Sequence, residues 1–193
     1  MQIDSIKYPV HSLGPGERLV IWTIGCPRKC KNCITPRLQD PNPEMDVNIN
    51  EQYLEIVKKL NGEKIEGITI SGGDPFFQKN ELLKFIELLK NLTDDILIYT
   101  GYTYQEIENM LTKNEIDYFK NNIAVLIDGP YVDELNDNKS VLRGSTNQNI
   151  YIFNNKYKKK YDKYLSQERK QELFKEKNGI RIVGIQNKEA TNG

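Results

Sequence analysis

The sequence predicts an α/β fold in which helices pack on a parallel sheet. Three observations point to it. Short runs of nearly unbroken apolar character, clearest at residues 19–24 and 123–127, read as strands buried on both faces. Segments with apolar residues at helical spacing separate these runs, which calls for right-handed crossover connections. The polar motifs follow the strands, at the edge of such a sheet where ligands bind.

The turn Gly14-Pro15-Gly16 introduces the first strand, residues 18–24, which carries β-branched residues and Trp22. A loop holding Cys26, Cys30 and Cys33 comes next. Asn50 is suited to cap a helix whose apolar face is Tyr53, Leu54, Ile56, Val57 and Leu60, and Asn61-Gly62 ends it. After a strand at 66–71, the breaker Gly72-Gly73-Asp74-Pro75 leads into a helix of about 14 residues with Leu82, Leu83, Phe85, Ile86, Leu88 and Leu89 on its apolar face. A strand at 96–100, a helix at 104–111 and a strand at 123–127 complete the alternation. Beyond Gln148 the expectations are a strand at 149–153, a polar excursion at 156–177 that is helical at least in part, a closing strand at 180–185 and a disordered tail at 187–193. A single domain, residues 1–186, accounts for all but the tail, since no Gly/Ser or Pro run marks a boundary.

Lysine plus arginine (27) balance aspartate plus glutamate (27), so net charge offers no footprint for nucleic acid or an anionic membrane. In 156–177 the acids interleave with the lysines, which favours a solvated helical excursion over a partner or nucleic-acid surface. The apolar runs are far too short to span a bilayer and residues 1–10 lack the apolar core of a signal peptide, so a cytoplasmic protein is expected. With His11 the only histidine, a Ser-His-Asp or Cys-His mechanism would rest on one residue near the N-terminus.

Chemistry concentrates in Cys26, Cys30 and Cys33, the only three cysteines, spaced Cys-x3-Cys-x2-Cys. Three thiols cannot all pair with one another, and a reducing compartment keeps them free. A closed zinc site needs four ligands, so here it would have to recruit a distant residue. A cubic iron-sulfur cluster held by three cysteines instead leaves one iron open to a small molecule. Lys29 and Lys31 stand among the cysteines and can offset the negative charge of the sulfurs. About forty residues later, Ser71-Gly72-Gly73-Asp74-Pro75 offers two glycines that let backbone approach a ligand and a carboxylate able to accept from an ammonium group. Alone, such a segment is also an ordinary turn.

Together the cysteine loop and the Gly-Gly-Asp-Pro segment resemble the radical S-adenosylmethionine enzymes. The resemblance implies an open, partial parallel β/α barrel with the cluster loop after its first strand. It implies a [4Fe-4S] cluster on Cys26, Cys30 and Cys33, with S-adenosyl-L-methionine on the open iron and its amino group held by Gly72, Gly73 and Asp74. The chain departs from the pattern at Asn32, where the family often has an aromatic residue.

Four further segments, Gly14-Pro15-Gly16-Glu17-Arg18, Thr100-Gly101-Tyr102, Asp128-Gly129-Pro130-Tyr131 and Arg143-Gly144-Ser145-Thr146-Asn147-Gln148, look like counterparts in glycyl-radical activating enzymes. Among these, the activases of anaerobic ribonucleoside-triphosphate reductase are similar over residues 14–153. The likeness adds Thr100, Asp128, Arg143, Ser145 and Asn147 as candidate cofactor contacts. Asp128 would orient the ligand or hold a cation beside it, Arg143 would pair with the methionine carboxylate, and Ser145 and Asn147 suit ribose or carboxylate.

The implied reaction is reductive cleavage of S-adenosylmethionine to methionine and a 5'-deoxyadenosyl radical, which takes a hydrogen atom from a backbone glycine of a large partner enzyme. No general acid or base is required of the chain. A flavodoxin or ferredoxin-type reductant and an anaerobic setting are implied as well. Two alternatives stay open: a radical enzyme that modifies a peptide or small metabolite, and an iron-sulfur protein that only relays electrons.

Overall fold

Alternation within the apolar runs places each central strand between two cores. In the computed structural model, which describes residues 1–176 and 179–188, six strands form one sheet in chain order. They are β1 (Ile3–Val10), β2 (Arg18–Thr23), β3 (Gly67–Gly72), β4 (Ile96–Tyr99), β5 (Val125–Asp128) and β6 (Asn149–Ile152). β2 to β5 run parallel, joined by α1 (Ile49–Leu60), α2 (Lys79–Leu89) and the pair α3 (Tyr104–Met110) and α4 (Lys113–Asn122). β1 and β6 are antiparallel edges, so the expected α/β fold has a mixed sheet.

Leu19, Ile21, Ile68, Ile70, Ile96 and Ile98 share one core with Ile56, Phe85, Ile86 and Phe119 of the helices. Val20, Trp22, Leu97, Val125 and Ile127 belong to clusters on the other face, as the pleat requires. Each such side chain, fully buried, contributes about 1.5–3 kcal/mol relative to exposure. The second face is closed by α5 (Lys158–Leu165), through Tyr161 and Tyr164, and by a hairpin of β7 (Gln171–Glu176) and β8 (Gly179–Gly184), through Phe174 and Val183.

Four expectations change. β1 was not foreseen, because its pattern of half-buried residues is broken by two register shifts against β2. Nor was α4, a polar helix that buries only Phe119. Asn48, not Asn50, caps α1, accepting from the N–H groups of Asn50 and Glu51. In the polar excursion only 158–165 is α-helical; 171–176 is a strand, and the strand expected at 180–185 pairs with it instead of closing the main sheet. Of the tail expected to be disordered, Asn187 and Lys188 are bonded to Arg169 and Asn138 respectively, and 189–193 lie outside the described residues. Among the described residues no helix is long and apolar enough to cross a membrane.

Arg18 enters the interior at the start of β2. Its guanidinium and the Asp95 carboxylate approach to 3.3 Å with both side chains at 0% exposure. Nε donates to Thr69 Oγ1 at 2.7 Å, and Nη2 donates to the carbonyls of Ile68 and Asp95 at 2.5 and 3.0 Å. From α5, Tyr161 Oη donates to Asp95 Oδ1 at 2.7 Å and Lys160 lies 3.1 Å from Oδ2. A buried ion pair is tolerated only when its remaining donors and acceptors are satisfied in this way.

Candidate iron-sulfur site

The cysteine loop leaves the end of β2 and is anchored where it starts. Gly25 N–H donates to Leu38 O and Cys26 N–H to Gln39 O, each at 2.8 Å. Lys29 and Asn32 take positive φ (45° and 54°), and Cys33 N–H returns to Cys30 O at 3.2 Å. Left-handed backbone suits asparagine far better than an aromatic residue, which gives the departure at Asn32 a local cause. Asn32 Nδ2 also donates to Asp133 Oδ2 at 3.0 Å, while Tyr131 Oη donates to Oδ1 at 2.8 Å. Arg28 ties the loop to α3: Nη2 donates to Glu106 Oε2 at 2.5 Å, and the guanidinium lies 4.7 Å over the Tyr102 ring. Lys29 and Lys31 are exposed and paired with Asp40 and Glu134.

All three cysteines are free and half-buried, and they line one cavity of about 1150 Å³. Burial pushes the Cys26 and Cys30 thiols up, only partly offset by backbone N–H groups at Arg28 and Tyr131 respectively. An ionised neighbour in the trio would raise them further. Such a set becomes thiolate only beside a cation. His11 is absent from the cavity lining, so no histidine completes a zinc site there. Three free, soft donors on one wall fit an iron-sulfur cluster better than a closed tetrahedral zinc. Among the described residues no three His, Cys, Asp or Glu side chains already close on a metal-sized point, leaving closure of the sulfurs to the metal centre.

Gly72 and Gly73 line the same cavity, and close packing dictates both. A Cβ on Gly72, whose φ is 117°, would fall 2.2 Å from Thr23 N, and one on Gly73 would fall 2.5 Å from Gly25 O. Gly73 N–H donates to Thr23 O at 2.8 Å and Asp74 N–H to Gly25 O at 2.7 Å, joining the turn to the root of the cysteine loop. Asp74 is fully buried and is not among the lining residues. Its Oδ1 accepts from Thr100 Oγ1 at 2.8 Å and Phe76 N–H at 3.0 Å, and its Oδ2 accepts from Gly101 N–H at 2.8 Å. Burial raises its proton affinity to about 6 against these bonds. Thr100 lines the cavity while holding Asp74.

The other four candidates lie off the lining. Asp128 clasps α3 to β6, accepting from Tyr104 N–H at 2.6 Å and from Asn149 N–H and Nδ2 at 3.0 and 2.9 Å. Arg143 Nη1 donates to Gln148 O at 3.0 Å, Ser145 Oγ accepts from Val132 N–H at 3.1 Å, and Asn147 Nδ2 donates to Pro130 O at 2.8 Å. Side chains that sequence reasoning passed over do line the cavity, among them Arg28, Tyr99, Tyr131 and Gln148. Tyr131 and Gln148 sat inside quoted segments, so position relative to the strand ends was their only signal.

The model of a 4Fe-4S single cluster domain matches residues 12–151, most of the chain. The chain belongs to this 4Fe-4S single cluster family. Relatives carry a common description, anaerobic ribonucleoside-triphosphate reductase-activating protein. The one from Escherichia coli K12 is 32% identical over 154 residues, covering 75% of this chain and 94% of that protein. The one from Enterobacteria phage T4 is 30% identical over 156 residues, covering 78% and 94%. That of Pasteurella multocida is 31% identical over 147 residues, covering 72% and 90%. The family match spans β2, the cysteine loop, the glycine turn and the rest of the sheet into β6, leaving out β1, α5 and the hairpin.

Proposed function

We propose that this chain is a radical S-adenosylmethionine activase that creates a glycyl radical on a partner enzyme, an anaerobic ribonucleoside-triphosphate reductase. One observation carries it: in a chain of the 4Fe-4S single cluster family, Cys26, Cys30 and Cys33 share a cavity with the Gly72-Gly73 turn. The cavity exceeds the roughly 300–1,000 Å³ typical of small-molecule sites, enough for a cluster and a nucleoside side by side. When bound, the reduced [4Fe-4S] cluster supplies the electron that breaks the carbon-sulfur bond of S-adenosylmethionine, yielding the radical that takes hydrogen from glycine.

The chain's residues bind, orient and exclude. Cys26, Cys30 and Cys33 hold the cluster. Gly72, Gly73 and Thr100 line the wall against the cofactor, and Asp74 fixes their turn from behind. Asp128, Arg143, Ser145 and Asn147 act by holding the β5–β6 connection in place. The sheet serves as the wall of an open, partial barrel of radical S-adenosylmethionine type. A small redox protein of flavodoxin or ferredoxin type supplies the electron, in a reducing cytoplasm that keeps the thiols free.

Anaerobic reconstitution with iron and sulfide, then a chemical reductant and S-adenosylmethionine, should release 5'-deoxyadenosine. Adding the organism's own anaerobic reductase should give its glycyl radical by electron paramagnetic resonance. Cys30→Ala should lose both cluster absorbance and cleavage; retained cleavage would refute the ligand set. A protein that holds the cluster but does not cleave S-adenosylmethionine would be an electron relay instead.

A further inference from the structure

Residues beyond 151 lie outside the family match, yet they build part of the cavity wall. Ile180, Arg181, Ile182 and Val183 of β8 all contribute to it. The two faces of the hairpin differ. On the inner face, Phe174 and Val183 pack with Val20 and Trp22, and Arg181 lies 4.2 Å over the Trp22 ring and 3.4 Å from Asp4. Glu172 accepts the N–H groups of His11 and Ser12 at 2.8 and 2.7 Å, and Glu176 pairs with Lys7 at 3.1 Å. The ribbon is therefore fixed from below, with its inward charges paired.

On the outer face, Leu173 and Ile180 are 69% and 70% exposed and Ile182 is 47% exposed. Leu173 stands directly opposite Ile182, and Ile180 shares its side of the strand, so the three make one aliphatic ridge. Ile180 and Ile182 belong at once to this ridge and to the cavity wall, so the ridge runs up to the cavity. Contiguous aliphatic surface left in water on a fixed ribbon marks a place for a partner.

The geometry points to this ridge as the docking surface for the polypeptide segment of the reductase that carries the target glycine. The assignment rests on the activity proposed above. A backbone glycine reaches the cavity only if the chain on either side of it lies over neighbouring surface, and on β8 the exposed aliphatic surface that adjoins the cavity is this ridge. A small charged metabolite would gain nothing from the solvent-exposed aliphatic faces of Leu173, Ile180 and Ile182. A polypeptide gains by burying them.

The test is Leu173→Asp, at a ridge position that is 69% exposed and off the cavity lining. Cleavage of S-adenosylmethionine without the reductase should match the wild type. In glycyl-radical formation the KM for the reductase should rise about tenfold or more with kcat nearly unchanged. Leu173→Ile should keep the wild-type KM. In the wild type, hydrogen exchange of the β7 and β8 amides should slow when the reductase is added. A wild-type KM in the aspartate variant, or unchanged exchange, overturns the docking assignment and leaves the activity standing. A wild-type protein that cleaves S-adenosylmethionine yet leaves no radical on the reductase overturns the activity, and this assignment with it.

Discussion

Asp74 binds its proton more tightly than an ordinary carboxylate, because burial outweighs the bonds from Thr100, Gly101 and Phe76. A folded-state value raised to about 6 means that the stability this group contributes is complete below the unfolded value of 3.8 and is lost as pH rises through 6. Asp74→Asn removes that slope. The stability of wild type minus variant, measured by denaturant unfolding, should therefore fall from about pH 4 to about pH 7 and then level off. A difference independent of pH would show that Asp74 does not titrate in this range. At this scale the gathering of the three cysteines on one cavity was legible and the motif chemistry less so. Three cysteines at fixed spacing can serve few purposes, whereas what a glycine's missing Cβ avoids is set by tertiary packing. The sequence suggested that Gly72 and Gly73 make room for a ligand; the nearest obstacles are Thr23 and Gly25. Asp128, Arg143, Ser145 and Asn147 have the chemical groups expected of cofactor contacts, but neighbouring groups take up most of them, leaving Asn147 Oδ1 buried without a partner.

Helix α3 reaches the cysteine loop through one carboxylate. Glu106 closes a capping box with Thr103 and also holds Arg28, whose hydrogen bond is the main reason that its pKa drops to about 2. Helix α4 has the same box, Thr112 with Glu115, without a link to the loop. Glu106→Ala and Glu115→Ala should each lower the midpoint of thermal or denaturant unfolding slightly. Only Glu106→Ala should also lower the iron bound per chain after reconstitution. Equal iron in the two variants would show that Arg28 needs no anchor. These paired Thr-x-x-Glu signatures were visible in the sequence, and the second would have revealed α4, whose apolar periodicity is too weak to do so. β1 had no comparable signal, since an edge strand interrupted by bulges alternates poorly.

Across the whole molecule, the βα alternation was legible as far as β6, because long-range order there follows from simple periodicity and crossover rules. Past it, polar residues with scattered aromatics suit a helix or a ribbon equally, and only packing on the Val20 and Trp22 face decides for a hairpin. The Arg18–Asp95 pair binds these two parts of the chain, linking β2 and β4's approach to α5. Arg18→Met should destabilise by about 3–5 kcal/mol by stranding a buried carboxylate, and Arg18→Met/Asp95→Leu should recover much of the loss. If the double variant is no more stable than the single in urea unfolding, the charge is not the cause. Tyr161 and Lys160 lie in the part of the chain that the family match does not reach. A descendant that sheds its last helix inherits an acid in its interior with two partners gone, so Arg18, Asp95 and Tyr161 must be kept together or rewritten together.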